Sequence, residues 1–207
     1  HIITSAINVW FASTRPRGAL EPLRIDMDRL ESGEQSLGAQ TLMDLTRKEL
    51  LDLYACTECG RCQSVCPAWN TGKPLSPKLL IMDLRDHLLE EGPNVLQVLA
   101  AGETPDQVAL VPGIVDDDVV WSCTTCGACE EECPLMIEYI DKIVDLRRGL
   151  VDDGNVPKSL QKALKALESR GNPYGKMEKK KAEWVKEKEF AQGCPVKVLN
   201  GDGPAET

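Results

Sequence analysis

The chain has 207 residues, 42% of them hydrophobic and only 4% aromatic, which fits one or two modest domains and is too apolar for a disordered chain. Twenty-four basic against 33 acidic residues give a formal charge of −9, which excludes nucleic-acid binding as the main activity. No apolar run reaches the ~18 residues needed to span a bilayer.

Residues 2 to 11, IITSAINVWF, form a short apolar stretch that closes on Trp10 and Phe11 and runs at once into Arg15 and Arg17. Aromatics followed by arginines mark the cytoplasmic end of a membrane helix. With His1 rather than Met in first place, residues 1–17 are expected to be such an end, or a membrane-proximal stub, in a chain cut from a longer protein. A plain surface or core segment is the competing reading. Residues 18–45 read as a mostly irregular linker.

At Thr46 a T-x-x-E capping box with Glu49 starts a helix whose Leu50, Leu51 and Leu53 lead into Cys56. Ser76 and Pro77 open a helix to about Glu91, with Leu80, Leu84 and Leu88 on one face, and a second short helix covers about Val95 to Ala101. Asp116 to Asp118 start another that carries Val119, Val120 and Trp121 into Cys123. Beyond Pro134 a helix reaches about Val151, and Pro157 opens one with Leu160, Ala163, Leu164 and Leu167 at i, i+3, i+4 and i+7. Residues 171–207 hold the loop GNPYG, a basic helix with Lys176, Lys179, Lys180 and Lys181 before Trp184, and a tail with Cys194. The lysines read as a solvated face or as a docking patch for an acidic partner or lipid surface. Cys194 reads as a free thiol rather than a ligand. Strand signals are almost absent.

Eight of the nine cysteines fall into two runs: Cys56, Cys59, Cys62 and Cys66 before Pro67, and Cys123, Cys126, Cys129 and Cys133 before Pro134. Both read C-x-x-C-x-x-C-x-x-x-C-P, and at an offset of 67 residues they agree at seven of twelve positions, an internal repeat. Structural zinc prefers two CxxC pairs with a longer gap, and a disulfide framework needs an oxidising compartment for which no signal peptide speaks. In the bacterial ferredoxin run the fourth cysteine ligates the other cluster. Applied here, one 4Fe-4S cluster takes Cys56, Cys59, Cys62 and Cys133, and a second takes Cys123, Cys126, Cys129 and Cys66. Gly60 and Gly127 are expected to supply positive φ, turning backbone N–H groups toward the cluster sulfurs, while Pro67 and Pro134 fix the exit direction. The 56 residues between Cys66 and Cys123 are helical rather than the short link of a compact β-containing ferredoxin. The expected fold is therefore mainly α, an α-helical ferredoxin domain over residues 46–170 with almost no β.

At CTECGRCQSVCPAWNTGKPLSPKLLIMDLR, WSCTTCGACEEECP and RGNPYG, the chain resembles the helical ferredoxin module of the heterodisulfide-reductase-like iron-sulfur oxidoreductases, over about residues 36 to 190. It looks most like the membrane-associated members, in which a haem-binding membrane region precedes the module and a cysteine-rich CCG domain follows. That resemblance implies electron passage between electron-transfer flavoprotein and the quinone pool, at the cytoplasmic face of the cell membrane, together with other redox subunits or domains. Membrane helices and CCG repeats are missing from this sequence, so the haem b and further cluster that the resemblance implies cannot be assigned to this chain and would be held only by parts of a longer protein. Iron-sulfur subunits of glycolate, lactate, glycerol-3-phosphate or succinate type dehydrogenases share the module, although the 2Fe-2S spacing of the succinate type is absent.

The expected function is a relay of single electrons through two 4Fe-4S clusters, with no catalytic residues for a substrate of its own. The competing readings are an interaction module whose clusters only hold helices together, and a small complete enzyme. Against the last, His1 and His87 are the only histidines, and neither a nucleotide fingerprint nor a nucleophile-base pair is present. Glu130, Glu131 and Glu132 lie in the second motif, whereas Arg61 lies in the first and Lys73 and Lys78 follow it. Because nearby anions oppose added negative charge, the second cluster is expected to be the harder to reduce. Redox titration of Glu131→Lys and Arg61→Glu tests this: each should shift one cluster, and unchanged potentials in both refute the charge argument.

Overall fold

The computed structural model describes residues 2–16, 19–23, 25–32, 36–177 and 180. His1, Arg17, Lys179, Lys181, Trp184 and Cys194, and the expectations attached to them, lie outside the described residues. The chain divides into two compact units, His1–Asn155 and Val156–Thr207. Regular structure is helical throughout, with no strand among the described residues.

In the first unit, α1 (Ile2–Trp10) and the one-turn α2 (Met27–Glu31) precede a 3-10 turn at Leu42–Asp44 and α3 (Arg47–Ala55). The capping box that starts α3 is complete: Glu49 N–H donates to Thr46 Oγ1 at 3.2 Å, and Thr46 N–H donates to Glu49 Oε2 at 2.8 Å. The first cysteine run carries α4 (Arg61–Ser64) and α5 (Pro67–Asn70). Next comes α6 (Pro77–Ala100), capped by Ser76, whose hydroxyl accepts from Leu79 N–H and donates to Gln63 Oε1 at 2.6 Å, tying the start of α6 to α4.

A single 24-residue α6 stands where the sequence suggested two helices broken near Gly92 and Pro93. Proline in a helix interior removes one backbone hydrogen bond. On either side of Pro93, Leu88 and Val95, seven residues apart on one face, line one cavity with Leu42, Leu50 and Tyr54.

Short helices α7 (Leu110–Gly113), α8 (Asp117–Trp121) and α9 (Ala128–Glu131) lead to α10 (Tyr139–Asp152). The helix expected directly after Pro134 begins only at Tyr139. Leu53, Leu80, Ile81, Leu84, Leu110 and Leu146 are almost fully buried in one core with Cys56, Cys62, Cys129 and Cys133. Each such aliphatic side chain contributes about 1.5–3 kcal/mol. Residues 38–40, read from sequence as linker, lie directly on α10: Ala39 N–H donates to Asp145 O at 2.9 Å, and a Cβ on Gly149 would stand 2.5 Å from Ala39 O. Only glycine allows that approach.

The docking of α1 inverts the usual pattern, in which a helix turns its apolar face inward. Thr4 and Ser5 hydroxyls donate to the carbonyls of Tyr54 and Ala55 at 3.0 Å each, satisfying two of the orphan carbonyls at the end of α3. Asn8 Nδ2 reaches Asp52 Oδ1 at 2.8 Å and Leu135 O at 2.9 Å. Ile3, Trp10 and Phe11 meanwhile stand 76, 85 and 64% exposed. Among the described residues no helix is long and apolar enough to cross a membrane.

In the second unit, α11 (Lys158–Arg170) ends at Gly171 in the left-handed conformation. There the Arg170 guanidinium donates to Gly175 O, and Asn172 Oδ1 accepts from Lys176 N–H at 3.0 Å. The periodic helix expected after Pro157 thus belongs to this unit.

Asp52 joins α1, α3 and α10. Its fully buried carboxylate accepts from Asn8, from the ammonium groups of Lys48 and Lys142, and from Glu138 N–H at 3.2 Å. Lys142, equally buried, also donates to Glu138 O at 2.9 Å. Breaking one side of a buried ion pair leaves an uncompensated charge. Lys142→Ala is expected to cost about 3–5 kcal/mol in urea unfolding of the cluster-loaded protein; a loss below ~1 kcal/mol means that Lys48 and Asn8 suffice to hold Asp52.

Candidate metal centre

The two cysteine runs have the same local fold. Glu58 and Thr125, 67 residues apart, take positive φ of 59° and 53°, and Gly60 and Gly127 follow with φ of 79° and 77° at the starts of α4 and α9. A Cβ at Gly60 would meet nothing within 4 Å, so backbone conformation rather than space calls for glycine there. The turn aims backbone N–H groups at sulfur: Thr125 N–H donates to Cys123 Sγ at 3.3 Å, and Glu58 N–H does the same for Cys56. Pro67 stands at the first position of α5, where its missing N–H costs nothing, and Cys66 is the N-cap.

The runs do not close on themselves. One cavity is lined by Cys56, Cys59, Cys62 and Cys133, with Gly60, Lys78, Pro134 and Tyr139. A second is lined by Cys66, Cys123, Cys126 and Cys129, with Pro67, Gly127, Leu75 and Ile140. In each, three thiols come from one motif and the fourth from the other. No three His, Cys, Asp or Glu side chains among the described residues converge closely enough to hold a single metal ion. The cysteines surround a space rather than a point, as a polynuclear cluster requires and tetrahedral zinc does not.

Most of these thiols are buried, but Cys59 at the first cavity and Cys126 at the second are exposed, so each cavity has one edge near solvent. Burial pushes the Cys56, Cys62, Cys123 and Cys129 thiols up, and the Glu130 carboxylate adds to the effect at Cys129. Iron bound there would therefore have to displace the protons that burial favours on these thiols.

Charges are distributed differently from the motif-by-motif reading. Glu58 and Lys78 line the first cavity, whereas no charged side chain lines the second. The glutamates of the second motif sit on the segment between Cys129 at one cavity and Cys133 at the other. Glu130 is buried, its carboxylate accepting from Ile140 N–H at 2.8 Å, while Glu131 and Glu132 are exposed. His87 is buried on α6 and lines neither cavity.

Three residues outside the motifs serve these loops without having been singled out by sequence. Arg85 of α6, buried, pairs with Glu58 Oε1 at 2.7 Å and Asp86 Oδ1 at 3.1 Å. Arg147 of α10 donates to the carbonyls of Val120 and Cys123. Tyr139 is 1% exposed at the first cavity; burial, reinforced by Cys62 and Cys133, keeps its phenol protonated, and it hydrogen-bonds Cys62. No periodicity or motif marks them, because each acts across 20 or more residues of chain or from a helix start with no cysteine of its own.

Residues 55–137 match the 4Fe-4S dicluster domain family. The chain carries two 4Fe-4S clusters. Three relatives extend the match: the probable iron-sulfur-binding oxidoreductase FadF of Bacillus subtilis, 36% identical over 98% of this chain and 32% of that protein; the EtfAB:quinone oxidoreductase of Syntrophomonas wolfei, 34% identical over 98% and 30%; and a probable membrane-anchored ferredoxin of Chromohalobacter salexigens, 37% identical over 70% and 24%. The chain thus spans about a third or less of each of these three relatives. Heterodisulfide reductase subunits C and D are homologues as well, which bears out the helical, heterodisulfide-reductase-like ferredoxin module expected from the motifs. The chain is thus an iron-sulfur electron-transfer module, and two of its relatives are named as oxidoreductases.

When bound, such a cluster accepts and returns one electron at a time; the chain's own residues set how readily, through donors to sulfur, burial and charge. Tyr139→Phe removes one donor without changing shape. It is expected to leave both clusters in place and disfavour reduction of one of them by about 1 kcal/mol in a potentiometric titration followed by EPR; unaltered midpoints mean that the phenol does not act on the cluster.

Proposed function

We propose that this segment relays single electrons between a flavoprotein donor of the electron-transfer-flavoprotein kind and the quinone pool, within a longer oxidoreductase at the cytoplasmic face of the cell membrane. The observation that carries the reading is the pair of four-cysteine cavities in one small helical unit, each with one exposed cysteine. Two centres with separate solvent-near edges suit passage of an electron from one partner to another. On this proposal Cys56, Cys59, Cys62 and Cys133 ligate one cluster and Cys66, Cys123, Cys126 and Cys129 the other, with Gly60, Gly127, Pro67 and Pro134 shaping the loops.

Support for the donor and acceptor comes from the relative named EtfAB:quinone oxidoreductase, and for the membrane from the relative named membrane-anchored ferredoxin. The outward apolar face of α1 adds to it: a helix bound to its protein by Thr4, Ser5 and Asn8 leaves Ile3, Trp10 and Phe11 for another apolar phase. Aromatic side chains of this kind gather at membrane interfaces.

Two measurements test the proposal. Cys133→Ser should alter the EPR signal of the cluster held by the first motif, and Cys66→Ser that of the cluster held by the second; each variant altering its own motif's cluster rejects the crossed ligation. In the full-length protein, a reduced electron-transfer flavoprotein should reduce both clusters and a quinone analogue should reoxidise them. Failure of the flavoprotein to reduce clusters that dithionite reduces rejects the donor.

A further inference from the structure

Arg85 and Arg147 stand behind the two ligand loops in matching roles but with opposite charge balance. Arg85 holds the Cys56–Cys59 loop through Glu58, and its charge is met by the carboxylates of Glu58 and Asp86. Arg147 holds the other loop through carbonyls alone: Nη2 donates to Val120 O at 2.8 Å and to Cys123 O at 2.6 Å, and Nε to Val120 O at 3.2 Å. Its guanidinium lies 5.2 Å from the ring centroid of Trp121, whose indole Nε1 is buried without a hydrogen bond. Among the described residues Arg147 has no carboxylate partner in ion-pair range. Among the described residues a half-buried cation is therefore fixed beside Cys123 with no carboxylate to neutralise it, behind a cavity whose own lining carries no charged side chain.

An unpaired, partly desolvated charge is costly unless something compensates it. The carbonyls accept from Nε and Nη2 but do not neutralise the charge. What remains is the anion that four thiolates create around a cluster, and each added electron makes that anion more negative by one charge. We propose that Arg147 is a positioning residue for the second cavity and the counter-charge that favours electron uptake there. The proposal rests on the reading that Cys66, Cys123, Cys126 and Cys129 hold one cluster. In its redox step a single electron from a one-electron reductant enters the cluster, no bond to protein breaks and no proton moves. Arg147 acts on the potential by charge, which is little screened where solvent is excluded, and by keeping the Cys123 loop in place. Its effect opposes that of the glutamates in the second motif.

The test is a potentiometric titration with dithionite, followed by EPR and accompanied by iron and sulfide analysis, on the wild-type chain and on Arg147→Gln and Arg147→Lys. Arg147→Gln removes the charge and keeps two donors; Arg147→Lys keeps the charge and loses the fork. Expected is a shift of at least about tenfold in the reduction equilibrium of one cluster in Arg147→Gln, 59 mV downward for a one-electron couple, with the other cluster in place and most of the shift absent in Arg147→Lys. The shifted cluster should be the one whose EPR signal Cys123→Ser alters. If Cys123→Ser alters the other cluster, the ligand assignment fails; if the assignment stands and a fully loaded Arg147→Gln keeps both midpoints, the counter-charge fails. An equal shift in both variants also overturns it, since loop geometry alone then accounts for the effect. Should Arg147→Gln not retain a full complement of iron, retention by Arg147→Lys supports the counter-charge and equal loss from both refutes it.

Discussion

Cys133 lines the cavity of Cys56, Cys59 and Cys62, and Cys66 lines that of Cys123, Cys126 and Cys129. For that exchange to occur, two stretches 67 residues apart must lie side by side. The helices between and around them are arranged to permit it. α6 begins against α4 through Ser76 and Gln63. α10 returns across both loops, offering Tyr139 to one cavity and Ile140 and Ile143 to the other. The aliphatic core grows out from the buried cysteines themselves, which share it with Leu53, Leu80 and Leu146. In a chain with so few aromatics, the metal sites and this aliphatic packing hold the helices jointly rather than independently.

Around that frame, polar groups are placed where the backbone leaves them unmet. The last turn of α3 runs straight into Cys56, so its carbonyls would be orphaned; Thr4 and Ser5 of α1 reach them. Asp52, one turn earlier, collects Asn8, Lys48 and Lys142, so α1, α3 and α10 meet at one buried carboxylate. The price of this polar docking is an apolar outer face on α1. The same segment therefore anchors the first ligand loop from within and offers Ile3, Trp10 and Phe11 to whatever lies outside.

The electrostatics of the two sites differ in kind. The first cavity has ion-paired charges around it: Glu58 with Arg85, and Lys78 nearby. The second has a lining without charge and a guanidinium behind its loop that no carboxylate among the described residues meets. Counting charges motif by motif misses this, because the fourth cysteine of each run belongs to the other cavity and takes its neighbouring residues toward it.

Much was legible in the sequence because the information is local. Cysteine spacing named the clusters, Gly60 and Gly127 marked backbone positions of positive φ, and the box of Thr46 and Glu49 and the cap of Ser76 and Pro77 started their helices where expected. Each of these depends on neighbours within a few residues. Tertiary structure alone decided the rest. It carried α6 through Pro93, with Leu88 and Val95 on the same face on either side of it, and it pressed residues 38–40 against Gly149. It turned α1 with its polar side inward, set Asp52 against Lys142, and brought Tyr139, Arg85 and Arg147 to the ligand loops. None of these has a period or a spacing, since each pairs a side chain with a group distant in sequence, and such a pairing exists only once the chain has folded back on itself.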